Sequence, residues 1–230
     1  MVVVPVIIAS TIVCIGFLIL SGIFLRYEKL NMSSMNLIPN KSSIPKLFFG
    51  LIIGTAIVGL MLLVLFTMTN LDIQRDENQS IMLFIKASLV FVPLALMEEI
   101  LFRGYPFFRL SQLINIRWVI FLTSILFALY HYNGSSNIYS LFIGPGIWGV
   151  VYGVAAYLSN SIAVPLGIHI SANVLQALFA LKSDYVPMWD VIINKDISNT
   201  ITPDHLGIIM QIILLVISII ILEFSIRKKK

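Results

Sequence analysis

Few residues in this chain can do chemistry, and their spacing is regular. Glu98 and Glu99 are adjacent, and Arg103 stands four residues after Glu99 in Met97–Glu98–Glu99–Ile100–Leu101–Phe102–Arg103. Residues four apart share a helix face, so Arg103 can neutralise Glu99. Glu98 is turned about 100° away and points elsewhere. A carboxylate shielded from bulk water is a candidate general base for activating a water. The plainer alternative is an ion pair that marks the membrane boundary at a helix end. His131 ends the apolar stretch Phe127–Ala128–Leu129–Tyr130–His131. Taken singly it reads first as an interfacial histidine. His169 and Asn173 are again four apart, among the small residues Gly167, Ser171 and Ala172. Small residues let helices approach closely. Two polar side chains on one stripe can hold a water or an oxyanion, or supply a metal ligand with a partner behind it. They serve equally well as hydrogen bonds that only pack helices.

The elements that must position these residues are membrane helices. The chain has 230 residues, 59% hydrophobic and 11% charged, with mean hydropathy +0.98. Soluble domains carry about 25% charged residues. The composition therefore predicts an all-α, polytopic transmembrane bundle of about seven spans. They fall near 3–25, 47–69, 81–103 or a little beyond, 118–131, 141–158, 162–181 and 206–226. Backbone groups in lipid need partners within their own segment, which demands helices. The first run is too long for a signal sequence and reads as a retained span. With the N-terminus outside and the C-terminus cytoplasmic, eleven of the fifteen Lys and Arg fall on inner segments. That agrees with the positive-inside rule. The net charge of +4 is scattered between spans and gives no case for nucleic acid. The lone Cys14 excludes an intrachain disulfide. The chain divides into a two-span region (1–80), a core that carries the motifs (81–181), and an outer loop with a last span and basic tail (182–230). Segment 31–45 reads as a polar cytoplasmic linker, and 182–204 as an outer loop over the bundle.

Other signals carry less. Gly144–Pro145–Gly146–Ile147–Trp148–Gly149 spells a dinucleotide-loop pattern but has no strand before it. Gly50 with Gly54, and Gly149 with Gly153, read as helix contacts. His205 reads as interfacial and Lys86 as a lysine reaching outward to water.

Glu98–Glu99–x3–Arg103, Phe127–x3–His131 and His169–x3–Asn173, in that order, resemble the three motifs of the CPBP family. These are the CAAX-protease and bacteriocin-processing proteins, also called the Abi family. The resemblance covers about 81–181 and implies an intramembrane endopeptidase. Carried over by position, it makes Glu98, Glu99, His131, His169 and Asn173 catalytic, with Arg103 and Phe127 supporting. Glu98 would activate the water, assisted by a histidine. His169 and Asn173 would bind water or steady the oxyanion. Family members are often called zinc metalloproteases, with Glu98, His131 and His169 as the candidate ligands here; a metal-free glutamate mechanism is the alternative. A catalytic zinc usually takes three protein ligands. That would use up the carboxylate best placed as base, so the metal-free version is preferred.

The implied partners are the bilayer and a membrane-associated peptide or protein, of CAAX type or a bacteriocin or leader peptide. A role in bacteriocin self-immunity and a bacterial cell membrane follow by family analogy. The alternatives are a non-catalytic scaffold or immunity protein and, behind it, a small transporter or proton relay. One difficulty stands against convergence. At about 1.5 Å per residue, His131 lies about 21 Å beyond Arg117, and His169 only about 10 Å beyond Ile162.

Overall fold

The computed structural model describes residues 3–30, 40–77, 79–134, 137–181, 187–193 and 201–228. Most of the expected linker (31–39) and much of the outer loop (182–186 and 194–200) lie outside the described residues. The architecture is a helical bundle. α1 (Val3–Tyr27) and α2 (Ser43–Met68) are followed by α3 (Ile81–Ser88), α4 (Phe91–Arg103), α5 (Tyr105–Leu113) and α6 (Ile116–Tyr130). After α7 (Ile138–Leu141) a π-helical turn, Phe142–Gly146, leads into α8 (Ile147–Ser159). α9 (Ala163–Leu178) and α10 (Pro203–Lys228) complete it.

Five stretches are long and apolar enough to cross a membrane: Val4–Tyr27, Ser43–Met68, Ile81–Leu113, Ile138–Ser159 and Pro203–Lys228. α6 and α9 are apolar but shorter, with 15 and 16 residues. The span expected at 81–103 or a little beyond is broken, and it reaches Leu113. Pro93 has no N–H to give and restricts the residue before it, so the helix restarts between Ser88 and Phe91. It then bends at Gly104 and runs on as α5 to Leu113. Only glycine suits that bend, because a Cβ there would overlap the Ile100 carbonyl.

The helices are not the whole fold. β1 (Leu71–Arg75) pairs antiparallel with β2 (Trp189–Ile193), in the register Leu71↔Ile193 to Arg75↔Trp189. This ribbon ties the segment after α2 to the one before α10. Its neighbour Met188 is buried against Phe84, Val90, Phe91 and Ala177.

α2 and α9 meet backbone to backbone. A Cβ at Gly50 would overlap the Val164 carbonyl, one at Gly54 the Ser171 hydroxyl, and one at Gly167 the Leu47 carbonyl. Apolar lipid gives helices no hydrophobic drive to associate, so close packing through small residues carries the contact. Gly149 and Gly153 lie likewise against Ser124 and Ile120 of α6. Asn115 caps α6 by accepting from the Arg117 N–H at 3.0 Å. α8 ends on Asn160 in the left-handed region (φ 46°). Ser161 Oγ then accepts from the Ala163 N–H at 3.1 Å to open α9. Pro165 sits in the first turn of α9, where its missing N–H is not needed.

Candidate active site

α4, α6, α8 and α9 bring the acidic and histidine residues to one place. Glu99 is fully buried and takes two partners on Oε1. His169 Nδ1 lies 3.0 Å away and Arg103 Nη1 3.4 Å away. Arg103 also donates from Nη2 to the Gly149 carbonyl at 3.0 Å. Its guanidinium carbon stands 4.5 Å from the Phe127 ring centre and 5.3 Å from that of Tyr152. Cation–π contacts of this kind strengthen when desolvated. Arg103 is therefore fixed from α4 itself, from α8 and from α6.

Both histidines are oriented through Nδ1. His131 Nδ1 lies 2.8 Å from the Phe127 carbonyl, which can only accept, so this nitrogen carries the proton. His169 Nδ1 donates to the Glu99 carboxylate in the same sense. Each neutral ring then presents Nε2 as an acceptor. Those two Nε2 atoms face the same carboxylate oxygen. Glu98 Oε2 is 3.8 Å from His131 Nε2 and 3.7 Å from His169 Nε2. These separations exceed a direct hydrogen bond. Glu98 Oε2 is buried and accepts no hydrogen bond from the described residues.

Aromatic rings set the angle of the imidazoles. Tyr152 stacks on His169 with centroids 4.6 Å apart and planes at 19°. Phe127 lies 4.6 Å from the His131 ring and meets His169 edge-on at 6.0 Å. Tyr152 is absent from the residues expected above. Its place four residues after Trp148 on an apolar helix reads in sequence as core, and nothing in spacing separates the two readings. Asn173 lies one turn beyond His169 on the same helix face and is half-buried.

The chosen donors suit zinc by type, since each histidine has its second nitrogen held by an acceptor. Their placement does not. Donors around a tetrahedral zinc with bonds of 2.0–2.1 Å stand about 3.3 Å apart, and both measured separations are wider. No group of three or more His, Cys, Asp or Glu among the described residues has metal-holding spacing.

The difficulty over depth does not keep the histidines apart: both reach Glu98 Oε2, at 3.8 and 3.7 Å. α4 and α5 carry the chain past the bend at Gly104 to Leu113, and Ile162 at the entrance to α9 packs among Leu25, Tyr105 and Phe108.

A search of curated proteins and a search of solved structures each return no match. A family model does match residues 78–175, that of the type II CAAX prenyl endopeptidases, Rce1-like. The match spans α3 to most of α9 and so contains Glu98, Glu99, Arg103, Phe127, His131, His169 and Asn173. With the five apolar helices it marks an integral membrane protein. Residues 78–175 are thus similar to the Rce1-like CAAX prenyl endopeptidases, consistent with the CPBP resemblance of the motifs.

Proposed function

We propose that the protein is an intramembrane endopeptidase in which Glu98 activates the water that attacks a substrate peptide bond. The observation that carries this reading is the approach of two imidazole Nε2 atoms to one oxygen of Glu98, at 3.7 and 3.8 Å. A polar pair at that spacing suits a bridging water. Facing three acceptors, such a water donates both of its protons. Its lone pair then points away from Glu98, toward an incoming carbonyl carbon.

In the reaction, one water proton passes to Glu98 as the oxygen–carbon bond forms. The carbonyl oxygen becomes an oxyanion. The Asn173 amide is the donor placed on the His169 face to steady it. Glu98, or a histidine that has received its proton, then protonates the leaving nitrogen as the carbon–nitrogen bond breaks. Glu99 and Arg103 touch neither atom of the bond. They hold His169 in the tautomer that leaves Nε2 as an acceptor. No step runs through a metal.

The substrate is a membrane-associated peptide or protein. CAAX-type substrates are favoured by the family match, and processing of a leader-bearing peptide or bacteriocin rests on analogy alone. The end of the bundle rich in Lys and Arg is read as cytoplasmic, which leaves the N-terminus outside. A non-catalytic scaffold would need none of the buried charge around Glu99, and burying charge in lipid is costly.

The test compares peptide N-termini in membranes of cells that carry the wild-type protein or Glu98→Gln at equal expression. A small set of termini found only with wild type is expected, and it names the substrate. Identical sets, with a partner still co-purifying with the variant, would overturn the protease in favour of the scaffold.

A further inference from the structure

On the far side of α8 and α9 from Glu98, α2 and α10 stand apart and leave an apolar groove of about 930 Å³. Its α2 wall runs from Lys46 to Met68, and its α10 wall from Leu206 to Ile221. Val151, Ala155 and Ile168 belong to its floor. The α2 wall is about 33 Å long, close to the roughly 30 Å hydrocarbon thickness of a bilayer. A groove of that length, lined almost wholly by apolar side chains, is complementary to a hydrocarbon chain.

One charged group lines it among the described residues, Lys46, at the end where α2 begins. Ser159 and Ser218 turn their hydroxyls back onto helix carbonyls. Lys46 Nζ donates to the Ser159 carbonyl at 2.9 Å, which uses one of the three donors of an ammonium. A long apolar slot with a cation at one mouth is complementary to an anionic amphiphile. The same end of the bundle carries Arg26, Lys29, Arg109, Arg117 and Arg227 around the ends of α1, α5, α6 and α10. An anionic leaflet attracts such a collar.

We infer that the groove between α2 and α10 binds an acyl chain of an anionic phospholipid, with the phosphate on Lys46. The site is separate from Glu98 and does not depend on proteolysis. The bound chain fills the space between α2 and α10 and lies against Ile168, the residue before His169.

The purified full chain in mild detergent is titrated with phosphatidylglycerol or with phosphatidylcholine of the same acyl chains. Bound lipid is counted by native mass spectrometry. One phosphatidylglycerol per chain is expected, held about fivefold better than phosphatidylcholine. Lys46→Gln removes the preference and leaves phosphatidylcholine binding as it was. Ala155→Phe fills the floor and lowers both several-fold, with the melting temperature reporting whether the variant folds. Equal retention of the two lipids by wild type overturns the inference. So does a preference that survives Lys46→Gln, or a dimer that Ala155→Phe dissociates. Should Ala155→Phe not fold, the Lys46→Gln comparison decides alone.

Discussion

At Glu99 and Arg103, both charges are committed to the frame of the site. Glu99 holds Arg103 and His169, and Arg103 also holds the Gly149 carbonyl and faces Phe127 and Tyr152. Arg103→Met strips one side of a buried pair. Such losses cost about 3–5 kcal/mol, so a marked fall in melting temperature in detergent is expected. An unchanged melting temperature would show that the pair is not buried as described. Glu98→Gln behaves differently. It keeps the shape, so stability should hold while turnover falls by about 10²–10⁴-fold, the range of general-base catalysis. The zinc question also has its test at this scale. Metal analysis of the pure protein should find no stoichiometric zinc that depends on the histidines; one zinc per chain, lost on His131→Ala or His169→Ala, would sink the metal-free mechanism. Much of this was legible in the spacing. The spacing of four from Glu99 to Arg103 announces their pairing and turns Glu98 aside. The role of Tyr152 was not legible, because a buried tyrosine on an apolar helix reads the same whether it packs a core or stacks on an imidazole.

The elements decide whether His131 and His169 can meet at all. α9 owes its position to α2, through Gly50, Gly54 and Gly167. Gly54→Leu should therefore force the two helices apart, displace His169 from Glu98 and remove activity. Gly59→Leu on the same helix has open space at its Cβ and should be tolerated. Comparable loss with both would mean that the crossing is not what places His169. The small-residue pattern announced this contact in sequence. Helix ends were harder. Pro93 breaks the third span, yet a proline near the middle of an apolar run also occurs in helices that only kink. The sequence allows that span to run a little beyond Arg103, but Gly104 and Pro106 look like a stop and conceal that it reaches Leu113. The ribbon was hidden for another reason. Leu71–Asp72–Ile73–Gln74 alternates as a strand does, but its partner lies more than a hundred residues away. Nothing local signals pairing at that range.

For the whole molecule, the basic residues gather where helices end together. Arg109 pairs with Glu28, which ties α5 to the end of α1; Arg117 with Glu223, which ties α6 to α10; and Lys46 reaches the end of α8 from the start of α2. The ribbon, with Asp72 on β1, lies at the other end of α2. Positive-inside bias predicts that the first end lies in the cytoplasm and the ribbon outside. The one native cysteine, Cys14, is buried, so a Cys14→Ser background allows single cysteines to report sidedness. Lys41→Cys and Asp72→Cys are both exposed positions, one before α2 and one on the ribbon. A maleimide that cannot cross membranes should label Asp72→Cys in intact cells and Lys41→Cys only after lysis. The reverse pattern would turn the molecule over and place the Lys46 mouth of the groove in the outer leaflet. Labelling of both in intact cells would mean that α2 does not span, and the membrane reading of the α2 and α9 pair would fall with it.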